Sequence, residues 1–316
     1  MNKKDIILGL LSIISVCLVI FIAGDLWTSA DGFRERRFTK KEDVKIKVAT
    51  SFYPLYFFAQ QIGGDKIDLL NIAPIGSNPH NYKLTAQDIT TIENYNLIIL
   101  NGLGLESWAG DIQNIAKEKN IAVTIASANL NENQVIESKE DVLDPHIWLS
   151  PALAEEMVNN ILAGFLQADS KNSDYYKANA AKLRSQLKNL DAKYRSGLAS
   201  CENTDIVTSH PAFLYLARDY GLSQISISGL SPDTKLSEQQ LKNITDFFKE
   251  QNIKYIFFDR APNSELADDI STSVGAKTLV LNPIEILSSQ EAKSNKNYFT
   301  EMEDNLVSLR LALQCK

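Results

Sequence analysis

A chain of 316 residues exceeds the size at which one hydrophobic core usually keeps growing, so two globular units are the default expectation. The formal charge of -7 excludes nucleic acid as a partner, because binding phosphates needs clustered Lys and Arg; an acidic surface suits the attraction of cations. The N-terminus reads as an export signal: Asn2-Lys3-Lys4 precedes an uncharged apolar run from Ile6 to Gly24. That run is long for a signal core and roughly long enough to span a bilayer. A signal cleaved near Thr28-Ser29-Ala30 and a retained signal anchor both stay open. Lipid attachment at Cys17 is a lesser alternative, because Val16 stands where a small residue is expected.

Residues 25–44, with Arg34-Glu35-Arg36-Arg37 and Lys40-Lys41-Glu42-Asp43, are charged and aperiodic and read as a tether. From Lys45 onward, short β-branched runs alternate with helical patterns. Strands are predicted near 45–52, 66–74, 96–102 and 121–127, with helices near 55–63, 85–95 and 107–119. Such alternation builds a parallel sheet with helices on both faces. A helix is predicted from about Pro151, with proline in the first turn where its missing N–H is harmless.

A longer helix follows over about 173–199. Its apolar residues Tyr176, Ala180, Leu183, Leu187, Leu190, Tyr194 and Leu198 step by three or four, so one stripe packs while the Lys- and Arg-rich face meets water. The alternation then resumes, with strands near 204–209, 223–229, 254–259 and 277–282 and helices near 212–220, 237–251, 264–274 and 297–314. The second half thus repeats the element order of the first. The expected organisation is an export segment at 1–24, a linker at 25–44, an α/β lobe at 45–170, a rigid linking helix at 171–200 and a second α/β lobe at 201–316. Each lobe is expected to hold a four-stranded parallel sheet flanked by helices. Cys201 and Cys315 are an even pair in an oxidising compartment and are expected to form a disulfide. In the chain-entropy model, closing so long a loop is worth on the order of 4–5 kcal/mol.

The chain holds three histidines, and each abuts a proline: Pro79-His80, Pro145-His146 and His210-Pro211. Each also falls at a predicted strand end or in the loop after it, where α/β proteins place ligand-binding groups. A single such histidine is ordinarily a loop or core residue bonded to backbone. Three together, two from one half and one from the other, point to a metal held in the cleft between lobes. Neutral imidazole suits zinc and its neighbours, and three imidazoles leave one position of a zinc tetrahedron for a carboxylate, an amide oxygen or water.

The pattern Pro74-x-Gly76-x-x-Pro79-His80-x-Tyr82, then Thr85-x-x-Asp88, then Asp144-Pro145-His146-Ile147-Trp148-Leu149-Ser150-Pro151, then His210 before a helix ending Asp219-Tyr220-Gly221-Leu222, closely resembles the zinc/manganese solute-binding proteins of ABC metal transporters. The resemblance covers about residues 45–316. It implies an extracytoplasmic, monomeric protein that captures a divalent transition metal between two lobes and delivers it to a membrane permease. It places successive ligands at His80, His146 and His210, and the histidine at the third position implies Zn2+ rather than Mn2+. A fourth ligand is often an Asp before Pro near the last strand; here Asn282-Pro283 stands there, so Asn282 is the expected ligand, with Glu285 or water as substitutes and, as a further alternative, an Asn282 that only holds a hydrogen bond behind the ligands. Tyr82 and Trp148 are expected to pack near the cleft. Asp144, Glu106 and Asp259 are candidates for orienting the imidazoles.

Two other function classes stay in view. A tri-histidine zinc site is also how hydrolases look, but the His-Glu-x-x-His pattern that supplies a nearby base is absent from the sequence. A surface adhesin or regulatory binder with weakened metal affinity is the third, prompted by the neutral Asn282.

Overall fold

In a computed structural model of the chain, the described residues are 44–74, 76–137, 142–227, 236–251, 253–260, 264–286, 294 and 296–316. The expected export segment and the linker as far as Asp43 lie outside them. Val44–Lys316 form one contact-dense unit containing two four-stranded sheets.

The first sheet comprises β1 (Ile46–Thr50), β2 (Ile67–Asn71), β3 (Leu97–Leu100) and β4 (Ala122–Ile125), in the order β2-β1-β3-β4. The second comprises β5 (Asp205–Thr208), β6 (Ser223–Ser226), β7 (Tyr255–Phe258) and β8 (Lys277–Val280), in the order β6-β5-β7-β8. Every pairing is parallel. The two sheets share one topology, with the first strand of each half inside and the second at the edge. A central strand of such a sheet is covered on both faces, which is why β3 is the unbroken run Leu-Ile-Ile-Leu, every residue of it buried.

Crossover helices follow the strands: α1 (Tyr53–Gly63), α2 (Ala86–Ile92) and α3 (Ala109–Lys119) in the first half, then α4 (Pro151–Ala168). The Ser150 hydroxyl caps α4 by accepting the Leu153 N–H, and Pro151 fills the first turn. Gly164 lets α4 press on the sheet, since a Cβ there would meet the Thr124 hydroxyl at 2.2 Å.

The long helix α5 (Ser173–Leu198, 26 residues) buries the seven stripe residues named above. The helices of the second half are α6 (Leu214–Tyr220), α7 (Glu238–Glu250), α8 (Ser264–Asp269) and α9 (Tyr298–Leu313), of which α6 and α9 contact α5. The helix predicted over 264–274 changes pitch: Ile270–Val274 is wound wider than an α-helix. Cys201, just past α5, is disulfide-bonded to Cys315, just past α9. Among the described residues, no helix is long and apolar enough to cross a membrane.

Candidate metal centre

Four segments, each following a strand, bring His80, His146, His210 and Glu285 together. His80 comes after β2, His146 after β4, His210 after β5 and Glu285 after β8, so each lies beyond the carboxyl end of its strand.

The His80 loop is fixed by its own neighbours. The His80 backbone N–H donates to Asn78 Oδ1 at 2.9 Å. Two residues on, the Tyr82 hydroxyl donates to Asp88 Oδ2 at 2.7 Å, and the Thr85 N–H donates to the same oxygen at 2.8 Å. Thr85 and Asp88 form the capping box of α2, so the loop is tied to the first turn of that helix. Burial first, then the Asp88 carboxylate, push the Tyr82 hydroxyl up to about 12 and keep it a donor.

His146 is held more tightly, at 5% exposure. Asp144 Oδ1 accepts both the His146 backbone N–H at 2.9 Å and the ring Nδ1–H at 2.6 Å. A carboxylate only accepts, so Nδ1 carries a proton, and Nε2 is the ring atom left to face the cleft, where an arriving ion would displace its proton. The Asn101 side chain donates to the Pro145 carbonyl at 3.0 Å, while the Asn101 and Gly102 N–H groups donate to the buried Glu106 carboxylate. Glu106 therefore supports the His146 loop through Asn101 without touching an imidazole ring; its burial pushes its own carboxyl up.

The rest of this motif reaches the second half. The Trp148 indole N–H donates to the Pro283 carbonyl at 2.7 Å, Tyr298 donates to the Trp148 carbonyl at 2.6 Å, and the Ser150 hydroxyl donates to Asp219. Tyr215 donates to the Asp144 carbonyl at 2.7 Å. Trp148 thus packs under the site, as expected, and also bonds the loop that carries Glu285.

His210 is set by its carbonyl, which accepts from Thr208 Oγ1 at 2.9 Å and Gln224 Nε2 at 3.0 Å. Glu285 follows an unusual backbone turn: Ile284 has φ of 60°, a left-handed conformation that costs a β-branched residue about 1–3 kcal/mol. Burial of Ile284 at 1% exposure offsets part of that strain.

The donor atoms face one another. His146 Nε2, His210 Nε2 and His80 Nε2 lie 2.9, 3.1 and 3.3 Å from Glu285 Oε1, and the His80 and His146 Nε2 atoms are 3.2 Å apart. One donor atom from each of the four residues falls within 4.8 Å of every other. Zinc–nitrogen bonds of about 2.0–2.1 Å put neighbouring tetrahedral donors about 3.3–3.4 Å apart, so the spacing suits a small tetrahedral ion. Burial disfavours a His146 cation, but the Asp144 and Glu285 carboxylates outweigh it and raise that imidazole to about 9. Burial pushes the Glu285 carboxyl up, yet hydrogen bonds from His146, His210 and His80 dominate and hold it well below its usual range.

Asn282, expected among the ligands, is engaged elsewhere. Its Oδ1 accepts the Ile284 N–H at 2.8 Å and its Nδ2 donates to Glu301 Oε2 at 3.0 Å. It lines a cavity of about 380 Å³ with His210, Asp259 and Glu285, and a second cavity of about 400 Å³ reaches Glu285 past Phe52 and Tyr56. Asp259 accepts the Arg260 N–H at 2.9 Å. The side chains of His80 and His210 are 29% and 30% exposed, so an ion can arrive from solvent on their side.

Comparison with known proteins agrees with this geometry. Residues 48–312 match the family described as ZnuA, zinc-uptake complex component A, periplasmic. The chain is 34% identical over 283 residues to the high-affinity zinc uptake system protein ZnuA of Bacillus subtilis, covering 86% of this chain and 89% of that protein. It is 33% identical over 288 residues to the zinc-binding lipoprotein AdcA of Streptococcus pneumoniae, covering 86% of this chain but spanning only 56% of that longer protein. The crystal structure of the Zn(II)-bound ZnuA-like domain of Streptococcus pneumoniae AdcA superposes with a TM-score of 0.82 at 32% identity, covering 85% of this chain and 99% of that one. Two parallel sheets of one topology, a four-donor cluster between their strand ends and a family match across nearly all of the described fold lead to one conclusion: the chain belongs to the ZnuA family of zinc-uptake components.

Proposed function

We propose that this protein captures zinc outside the cytoplasm at His80, His146, His210 and Glu285 and delivers it to an ABC permease in the membrane. The observation that carries the reading is the convergence of three Nε2 atoms on one carboxylate oxygen, from segments of both halves. Three nitrogens and one oxygen suit zinc, whereas manganese favours more oxygens and a larger coordination number. Glu285 takes the fourth position in place of Asn282. A charged donor there removes the reason to expect weakened affinity, and with it the motive for an adhesin reading. Four protein donors also fill the tetrahedron, leaving no open position for the activated water that a hydrolytic zinc site requires.

In this reading, residues 45–170 and 201–316 act as the two lobes that contribute two ligands each, with 171–200 as the helix between them. The protein works as a monomer, held at the membrane or released from it according to the fate of residues 6–24. Direct titration tests the proposal: one zinc ion per chain should bind with sub-micromolar affinity, and no ester or peptide turnover should accompany it. Absence of stoichiometric binding, or turnover abolished by chelation, would sink it.

A further inference from the structure

We infer that Asn282 is a positioning residue: it sets Glu285 as the fourth zinc donor by holding the intervening Ile284 in its left-handed turn. The inference rests on zinc capture at the four residues above and concerns how one of them is aimed.

Glu285 follows a residue whose backbone would not ordinarily adopt this conformation. A buried isoleucine at φ of 60° persists only where its surroundings over-determine it. Two hydrogen bonds act on that turn. Asn282 Oδ1 accepts the Ile284 N–H at 2.8 Å, and the Trp148 indole fixes the Pro283 carbonyl at 2.7 Å. Asn282 is itself clamped by α9: its backbone N–H donates to Asn305 Oδ1 at 2.7 Å, and its carbonyl accepts from Asn305 Nδ2 at 2.7 Å. Its remaining amide atoms donate to Glu301 Oε2 at 3.0 Å, so the side chain cannot turn to the metal without abandoning two bonds.

The amide is the only ordinary side chain of this size that does both jobs. It needs an acceptor for the Ile284 N–H and a donor for Glu301, and Glu301 is 7% exposed. Aspartate could accept from Ile284 but would set a second carboxylate against Glu301. The departure from Asp-Pro at this position is thereby accounted for: the carboxylate that meets the ion has moved three residues along the chain, and Asn282 aims it.

The test measures zinc affinity of the full chain by competition with a chelating dye, and reads the ligand field by the visible absorption of the Co2+-substituted protein. Asn282→Ala should weaken zinc about 10–100-fold and diminish the tetrahedral Co2+ bands, with the circular dichroism unchanged. In a Glu285→Ala background the same substitution should change affinity by less than about twofold, because its route to the metal has gone. Asn282→Asp should also weaken binding, and adding Glu301→Gln, which restores a donor, should recover most of the loss. Equal losses with and without Glu285 would show a general structural role and overturn the inference. Tightened binding by Asn282→Asp would overturn it in favour of direct ligation. Failure of the unsubstituted chain to bind zinc in the same assay would instead bring down the capture reading itself.

Discussion

The two halves of the molecule aim their ligands differently. In the first half the aiming groups are close in sequence: Asn78 for the His80 backbone, Thr85 and Asp88 for its loop, Asp144 for His146. In the second half Glu285 depends on distant partners, with Asn305 23 residues from the Asn282 it clamps and Trp148 135 residues from the Pro283 carbonyl it holds. Local aiming produces a motif, whereas tertiary aiming leaves isolated residues with no pattern around them. The rings of the first half are therefore aimed in part by neighbours in sequence, while the setting of the fourth donor depends on α9 and Trp148.

The largest effects should come from the donors themselves, and they test whether the halves contribute equally. His146→Ala and Glu285→Ala are each expected to lower zinc affinity at least about 100-fold in dye competition, with the chain still folded. If one of them leaves affinity unchanged, the four-donor site is wrong and the halves are unequal.

Acidity should act next, mainly through the first half. His146 is raised to about 9, so in the metal-free protein it carries a proton at neutral pH that zinc must displace. Affinity should fall about tenfold per pH unit from 8 to 6, with roughly one proton released in calorimetry across buffers of different ionisation enthalpy. The sign for the empty protein is opposite. A raised histidine stabilises the fold fully below its ordinary value of 6.5 and loses that contribution as pH rises through about 9, while the lowered Glu285 contributes above its ordinary 4.5 and is lost as pH falls through its depressed value. Thermal melts of metal-free protein should accordingly be highest between those limits.

Asp144→Asn should cost about 10–100-fold in zinc affinity, because an amide can present a donor to Nδ1 and release the tautomer. A loss confined to less than twofold would show that packing alone orients His146. The smallest effect belongs to the His80 loop: Asp88→Ala removes the capping box and the Tyr82 anchor, for about 1 kcal/mol and an affinity change of roughly fivefold.

How much of this could be read from the residues follows the same division. The alternation of strands and helices into two parallel sheets, the long helix with its buried stripe and the three histidines were all legible, because periodicity and proline-flanked motifs are local properties. Predicted strands run one to three residues past the ladders among the described residues, since apolar character continues into the loops that carry ligands, as at Ile72 and Ala73; positions 228–229 of the strand predicted over 223–229 lie outside the described residues. The wide turn at Ile270–Val274 leaves no compositional mark. Glu285 was visible only as a substitute for Asn282, because nothing near it in sequence shows that Ile284 turns left-handed or that α9 takes up the Asn282 amide.

The stripe along α5 has one more consequence. Tyr176, Leu183, Leu190 and Tyr194 belong to a single apolar cluster that includes Val48 and Leu97 from the first sheet and Ile206 and Phe257 from the second. The two halves therefore melt together: calorimetry of residues within Val44–Lys316 should record one transition with matching calorimetric and van't Hoff enthalpies, and neither half excised alone should regain native ellipticity.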